Sequence, residues 1–364
     1  MTYKFRLYPT KVQEQQLLRT LETCCNFYNH ILEQWKFLWE RERKSLSRFK
    51  WSNYATKVRQ QNEELQQVYS QVLQNVCDRV VVSFDGFFRR VKAGQTPGYP
   101  RFQNVNRYNS FTYPQTGHEI KSSKLFLGKI GSIKLRGIRE MKGKPKTCAI
   151  RRSPTGKWYA SIMCEFEPQQ LPHSDKSVGI DVGIRTFAAL NDGTLIENPR
   201  YLKHKRKELF RVQRRLSKAK KGSLDREKKK RVVSKVYEIV ANQRNDFTHK
   251  LSRALVNEYG TICVEDINKQ KMFSDIKPFN FALDDVPWGQ LFDKLVYKAE
   301  WAGRKLVKVN PAYTSQDCSA CGRREKKALD DRMHVCPCGL VLDRDVNAAR
   351  NILRLGLQSL SSVD

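Results

Sequence analysis

Residues 3–8 alternate, Tyr3, Phe5 and Leu7 against Lys4, Arg6 and Tyr8, which is the two-residue period of a strand. Pro9 ends the run. Thr10 and Gln13 then have the spacing of a capping box, followed by Leu17, Leu18, Leu21 and Cys25 at helical intervals. Helical periodicity continues to about Arg90 through Phe27, Ile31, Trp35 and Leu38, then Val68, Val72, Cys77 and Val80, and Gly86 with residues 94–100 is expected to close it. Residues 95–175 change character: Pro and Gly become frequent, runs shorten, and residues 147–153 with 157–167 read as a hairpin around Pro154-Thr155-Gly156.

A third pattern begins at Ser177. Residues 177–182 form a short apolar strand broken by one aspartate, Asp181, and a second strand follows at 186–190. Asn191-Asp192-Gly193 turns into a third strand at 194–197. A long basic helical stretch covers about 201–259, and 261–266 is a buried-looking strand ending in carboxylates. Trp288, Leu291, Phe292, Leu295, Val296 and Ala299 mark one stripe of an amphipathic helix, and 306–310 returns as a strand. Hairpin strands followed by strand–helix–strand predict a mixed sheet with covering helices, an α/β multidomain chain.

Charge sharpens this picture. With 68 Lys+Arg against 37 Asp+Glu in 364 residues, the formal charge is +31, which calls for a polyanionic partner, nucleic acid or an anionic membrane surface. No run of about 18 apolar residues occurs, so no membrane span is predicted. The opening residues lack the apolar core of a secretory signal, so a cytoplasmic, nucleoid-associated protein is expected. Six cysteines (Cys24, Cys25, Cys77, Cys148, Cys164, Cys263) lie scattered in apolar settings and read as core.

The other four crowd together. Cys318-Ser-Ala-Cys321 and Cys336-Pro-Cys338 are separated by fourteen residues, and four thiolates close a tetrahedral structural zinc shell. The second pair is CxC where CxxC is commoner; His334 is a competing ligand and a dithiol switch the rival reading. Asp181 sits mid-strand where a lone carboxylate is costly, Glu265 ends the next long strand, and Asp345 opens a helix after the cysteines. Paired strands would bring Asp181 and Glu265 side by side with Asp345 opposite. Three such carboxylates suit two Mg²⁺ ions and phosphodiester hydrolysis. Taken singly, each is as well explained as a cap or strand-end carboxylate.

Basic residues fall in two places. Residues 200–231 hold sixteen Lys/Arg against three acids, with Leu202, Leu209, Phe210, Val212, Leu216, Val232 and Val233 as a packing side. Lys218, Lys220, Lys221, Lys228, Lys229, Lys230 and Arg231 are then candidate phosphate contacts. Arg101 and Arg107 lie among Tyr99, Phe102, Tyr108, Phe111 and Tyr113, a mixture that suits base stacking and equally a sheet with ordinary core aromatics.

Several motifs resemble one family. Gly179-Ile-Asp181-Val-Gly183-Ile-Arg185-Thr-Phe187-Ala188, Val264-Glu265-Asp266, Thr314-Ser-Gln-Asp-Cys318-Ser-Ala-Cys321-Gly322 and Asp343-Arg-Asp345-Val-Asn347-Ala-Ala349 look like TnpB, the OrfB family of transposon-encoded RNA-guided nucleases related to type V CRISPR effectors. Lys4-Phe-Arg6-Leu-Tyr8-Pro9-Thr and Pro100-Arg101-Phe102 resemble it more weakly. The resemblance implies a RuvC-type RNase H fold nuclease with Asp181, Glu265 and Asp345 as its metal triad, a zinc-ribbon insertion, an N-terminal helical lobe and a β-rich wedge domain. It implies a wedge strand at 1–10, the helical recognition lobe at 11–92, the wedge at 93–175, the nuclease domain at 176–312 and 341–364, and the zinc finger at 313–340. It further implies a guide RNA from the transposon end, one protein per guide RNA, and a double-stranded DNA target beside a short 5′ motif, with sequence read by base pairing. Arg332 is a candidate contact to the substrate strand. The rival expectations are a nuclease-silent RNA-guided repressor, a guide-free RuvC-like resolvase on branched DNA, and a transposase joining DNA ends.

Overall fold

The computed structural model describes residues 1–42, 46–267, 280–328 and 331–361, in two compact units, Met1–Glu167 and Pro168–Asp364. In the first unit β1 (Thr2–Tyr8) leads into α1 (Lys11–Glu42). The Thr10 hydroxyl accepts from the Gln13 N–H at 3.3 Å while Gln13 Oε1 accepts from the Thr10 N–H at 3.0 Å, the expected capping box. The helical stretch then breaks into α2 (Arg48–Gln60), α3 (Glu63–Gln66) and α4 (Ser70–Lys92). Gly86 does not close it: α4 runs through this position, where a Cβ would meet only the end of the Arg90 side chain at 3.9 Å, and stops near Gly94.

Six more strands follow: β2 (Ser110–Tyr113), β3 (His118–Lys121), β4 (Lys124–Leu127), β5 (Gly131–Arg136), β6 (Lys144–Arg152) and β7 (Trp158–Glu165). They join β1 in one antiparallel sheet of order β2-β6-β7-β1-β5-β4-β3, so the first strand of the chain sits at its centre. Gly156, at φ +83°, makes the predicted β6–β7 turn. Alternation sends Tyr3, Phe5, Leu7, Trp158, Ala160 and Ile162 into a core shared with α1, α2 and α4, where Trp35 stacks on Phe84 at 4.4 Å. All six scattered cysteines are buried, five of them in this unit's core strands and helices.

The second unit carries a five-stranded sheet. Its strands are β8 (Ser177–Val182), β9 (Thr186–Leu190), β10 (Leu195–Glu197), β11 (Thr261–Glu265) and β12 (Lys305–Val309), in the order β10-β9-β8-β11-β12. The first three make an antiparallel meander and the last two run parallel to β8, which is the RNase H arrangement the motifs lead one to expect. The basic helical stretch is two helices, α5 (Tyr201–Ser217) and α6 (Leu224–Glu258), turning at Gly222, where φ is +82°. Leu202, Leu209 and Val212 pack against Val236 and Val240, while Phe210 and Val232 stay exposed. After α7 (Asn280–Asp285), the buried carboxylate of Asp285 accepts from the Leu202 and Lys203 N–H groups at 2.8 Å and so caps α5 from a distance.

Strand alternation divides this sheet into two faces. Val178, Ile180, Val182, Ile262 and Val264 meet α6 and α8 (Trp288–Ala302), whose Leu291 and Leu295 are fully buried; Val296, on the predicted stripe, is half exposed. Two lysines of α8 are buried in that seam, Lys294 donating to Thr248 Oγ1 at 2.8 Å and Lys298 to Ser252 Oγ at 2.7 Å. Burial lowers the Lys298 amine to about 8, with the positive charge of Arg253 and Lys294 adding to the effect.

The opposite face takes α9 (Arg344–Ser361). Helix and sheet touch where side chains are missing. A Cβ on Gly179 would collide with the Ala349 carbonyl and stand 2.8 Å from Leu353 Cβ, and one on Gly356 would strike Cys263. Gly179→Ala is therefore expected to destabilise this unit by on the order of 1–3 kcal/mol, as overpacking does. The urea midpoint measures this, and an unchanged midpoint would mean that α9 is free to move off the sheet.

Candidate active site and metal centre

Register puts the carboxylates together. Cys263 pairs with Gly179 and Val264 with Ile180, so the next pair along the parallel strands is Glu265 beside Asp181. Both have the parity of Gly179 and Cys263, the α9 face. Asp345 stands in the first turn of α9, where the Asp343 carboxylate accepts from the N–H groups of Asp345 at 2.8 Å and Val346 at 3.2 Å. All three residues are half-buried.

Their electrostatics follow from that crowding. Burial, then the facing charges of Glu265 and Asp345, hold Asp181 well above the ordinary carboxylate range, with Arg344 and the Val182 N–H opposing. Burial raises Glu265, and the Thr314 hydroxyl works against it. Burial and Asp343 raise Asp345, while Arg332, Arg344 and Arg185 lower it. Three hard oxygen donors that repel one another are the donor set a small divalent cation needs.

The four cysteines also meet. Their sulfurs all lie within 4.8 Å of one another, and among the described residues this is the one such group of three or more His, Cys, Asp or Glu ligands. The three carboxylates are thus spread more widely than the thiols. Cys318 and Cys338 Sγ are 3.7 Å apart and Cys321 and Cys336 Sγ 3.6 Å. A tetrahedral zinc site with arms of about 2.3 Å has edges of about 3.8 Å, so the CxC knuckle fits zinc as well as the CxxC one. Burial opposes it, yet the N–H groups of Cys321 and Ala320, with His334, bring the Cys318 thiol down to about 6. At Cys336 the Cys338 N–H is outweighed by burial and the facing thiols of Cys338, Cys321 and Cys318, which hold it up, as expected of sulfurs packed together without a cation. His334 is buried next to this shell, in contact with Lys327, and is not one of the four ligands. The small strands β13 (Met333–Val335) and β14 (Val341–Asp343) connect the module to α9.

The predicted basic residues divide. Arg101, Arg107, Lys218, Lys220, Lys221, Lys228 and Arg231 are exposed. Lys229 is tied to Asp225 at 2.7 Å and Lys230 to Glu227 at 2.5 Å on their own helix. Arg332 is exposed and its charge reaches Asp345, as does that of Arg185, which the sequence reading did not single out as a site residue. Sequence reading also missed the outer face of the seven-stranded sheet. There Arg136, Arg6, Tyr159 and Arg151 form one row across β5, β1, β7 and β6. The Arg6 guanidinium lies 5.2 Å from the Tyr159 ring centre and Lys4 Nζ lies 4.4 Å from it. The polar half of each strand's alternation was the available signal, but adjacency across four strands is not written in any one of them.

The mixed sheet of order β10-β9-β8-β11-β12 with a covering helix is the RNase H type of fold, and it carries two carboxylates on its strands and a third on that helix. Residues 161–275 match the family OrfB_IS605, described as "Probable transposase", residues 288–352 match "Cas12f1-like, TNB domain", and residues 1–44 match a family described as "Helix-turn-helix domain". In that last span the described residues form one strand and one continuous helix. A "Putative RNA-guided DNA endonuclease" of Streptomyces pristinaespiralis is 33% identical over 370 residues, covering 100% of this chain and 90% of that protein. InsQ of Escherichia coli K12, named in the same words, is 30% identical over 97% of this chain and 92% of its own length. The "CRISPR-associated endodeoxyribonuclease Cas12f1" of Sulfoacidibacillus thermotolerans is 31% identical over 54% of this chain and 50% of its own. The chain belongs to the OrfB (TnpB) family.

The raised carboxylates set a pH dependence in the metal-free protein. Between the ordinary carboxylate pKa of about 4 and their raised folded values, the folded state binds more protons than the unfolded one, so stability falls as pH rises through that window. Asp181→Asn should flatten this fall and raise the Tm of metal-free protein at pH 7 by a few degrees, at about 2–4 °C per kcal/mol. A lower Tm in the variant at pH 7 would contradict the crowding.

Proposed function

We propose that this chain is an RNA-guided DNA endonuclease that hydrolyses double-stranded targets next to a short 5′ motif. The reading is supported by Asp181 and Glu265 sharing the sheet face that the helix bearing Asp345 covers, in a chain similar over its full length to a protein named an RNA-guided DNA endonuclease. The three carboxylates would hold two Mg²⁺ ions, which when bound supply an activated water and stabilise the leaving oxygen. Asp181 and Glu265 are held by paired strands and Asp345 by a helix N-terminus, so the ligands keep their spacing as a phosphate enters. Arg185, Arg332 and Arg344 bring positive charge to the same place, where it favours the phosphate's approach. In-line hydrolysis leaves a 5′-phosphate and a 3′-hydroxyl.

The partners follow from charge as well as kinship. A guide RNA paired with its target presents a dense row of phosphates, and the exposed cations of the α5–α6 turn and the Arg/Tyr row of the first unit's sheet each suit such phosphates. Among the described residues no helix is long and apolar enough to cross a membrane, and a place in the cytoplasm near the nucleoid fits the proposed substrate.

Two experiments test the reading. With the copurified RNA, Asp181→Ala, Glu265→Ala or Asp345→Ala should each lower plasmid cleavage by more than about 100-fold, beyond what loss of an outer-shell partner costs. Cutting that survived these changes would remove the site assignment. For binding, replacing Lys218, Lys220 and Lys221 together by Ala should reduce the log–log salt slope by up to about 0.9 per lost duplex phosphate contact. Lys229→Ala should barely move the slope, because that charge is already paired with Asp225.

A further inference from the structure

Thr314 is buried, at 4% exposed, in the segment between β12 and the first cysteine pair. Its hydroxyl donates to Glu265 Oε1 at 2.5 Å and stands 3.2 Å from the Pro311 carbonyl. A hydroxyl has one proton, and the nearer acceptor is the carboxylate. Glu265 Oε2 has no hydrogen bond among the described residues, so the contact fixes which oxygen is left for a ligand.

Thr314 is itself held from α9. Asn351 Nδ2 donates to the Thr314 carbonyl at 2.9 Å and to that of Asp317 at 2.7 Å, and Asn347 Nδ2 donates to Asp317 O at 2.8 Å. Asn347 Oδ1 accepts the Ser319 N–H at 2.9 Å, so two fully buried asparagines clasp the chain on both sides of Cys318. Buried amides are costly when unpaired, so the cysteine knuckle and α9 each need the other in place. Asn347 lies two residues beyond Asp345 on the same helix. Hydrogen bonds and short lengths of backbone therefore join the residues that flank Cys318, the helix that carries Asp345, and the Glu265 carboxylate.

The geometry points to Thr314 as a positioning residue for Glu265, so that the seating of the four-cysteine module on α9 sets the affinity of the carboxylate site for its divalent ion. This rests on the reading that Asp181, Glu265 and Asp345 hold that ion. It gives the cysteine module a task inside the nuclease site in addition to any contact with nucleic acid.

The test is Mn²⁺ binding to the zinc-loaded full chain without RNA, followed by the electron paramagnetic resonance of free Mn²⁺. Thr314→Val keeps shape and loses the proton; it should raise the Kd about 10-fold, the lower end for an outer-shell partner, with zinc content and metal-free Tm unchanged. Thr314→Ser should restore wild-type binding, and cleavage by Thr314→Val should recover at high Mg²⁺. Cys338→Ser, which removes a thiol ligand, should weaken Mn²⁺ binding in the wild type and add little in Thr314→Val. Glu265→Gln separates the two levels of the argument. If it loses Mn²⁺ while Thr314→Val binds normally, the inference fails and the carboxylate reading stands; if Glu265→Gln binds normally, the reading itself fails. Equal losses in Thr314→Ser and Thr314→Val would assign Thr314 to packing, and additive losses with Cys338→Ser would sever the link to the module.

Discussion

Like charge held close together at the edge of a packed core governs the second unit. Burial raises the proton affinity of Asp181, Glu265 and Asp345, and the facing charges of Glu265 and Asp345 add to it at Asp181, as Asp343 does at Asp345. Such an arrangement opposes folding of the bare chain and becomes favourable when a divalent cation arrives. The surrounding structure answers that repulsion. Parallel pairing fixes two carboxylates, the Asp343 cap and the helix N-terminus steady the third, and three arginines surround them. The opposite face, where α6 and α8 cover the sheet with apolar side chains, supplies the packing against which this strain is held.

The close seat of α9 is what lets a helix and a sheet share one site. At Gly179 the strand backbone meets the helix backbone directly, and at Gly356 the helix backbone rests on the Cys263 side chain, so α9 sits close and Asp345 arrives near two strand residues. The buried asparagines of α9 then extend the same contact to the cysteine module. The helix gives buried positions to two amides and a glycine and carries a carboxylate in its first turn. It turns one side to the sheet and another to the cysteine module, and gives up hydrophobic packing for position.

The first unit solves a different problem. Its sheet buries one row of residues and leaves the other to water, and the exposed row carries arginine, lysine and tyrosine across four strands. Charge of this density repels itself in the free protein and is relieved by a polyanion. The large excess of basic residues is thus spread over a sheet face and the α5–α6 turn, with some of it, as at Lys229 and Lys230, already neutralised within its own helix.

Much of this was legible in the sequence. The strands β8 and β9 stand at the predicted residues, because short apolar runs between turn residues encode their ends locally; the capping box at Thr10 and the turn at Gly156 are local in the same way. The cysteine pairs and the three carboxylates could be picked out because their chemistry is costly anywhere but in a site. Other features were hidden. Gly86 breaks no helix because its cost of about 1 kcal/mol is outweighed by buried helix neighbours such as Val80, Val81 and Phe84. Val296 and Phe210 stay exposed although their spacing matches buried neighbours. The Arg/Tyr row, the place of Arg185 beside Asp345, and the clasp through Thr314, Asn347 and Asn351 join residues that stand far apart in the chain or in ordinary contexts. The sequence by itself determined the elements, the ligand chemistry and the sign of the partner's charge, since these depend on side-chain type and near spacing. Only the tertiary structure decided which charges face one another and which hydroxyl holds which carboxylate, because hydrogen bonds and fields depend on distances set by strand register and by the depth to which one helix sinks onto the sheet.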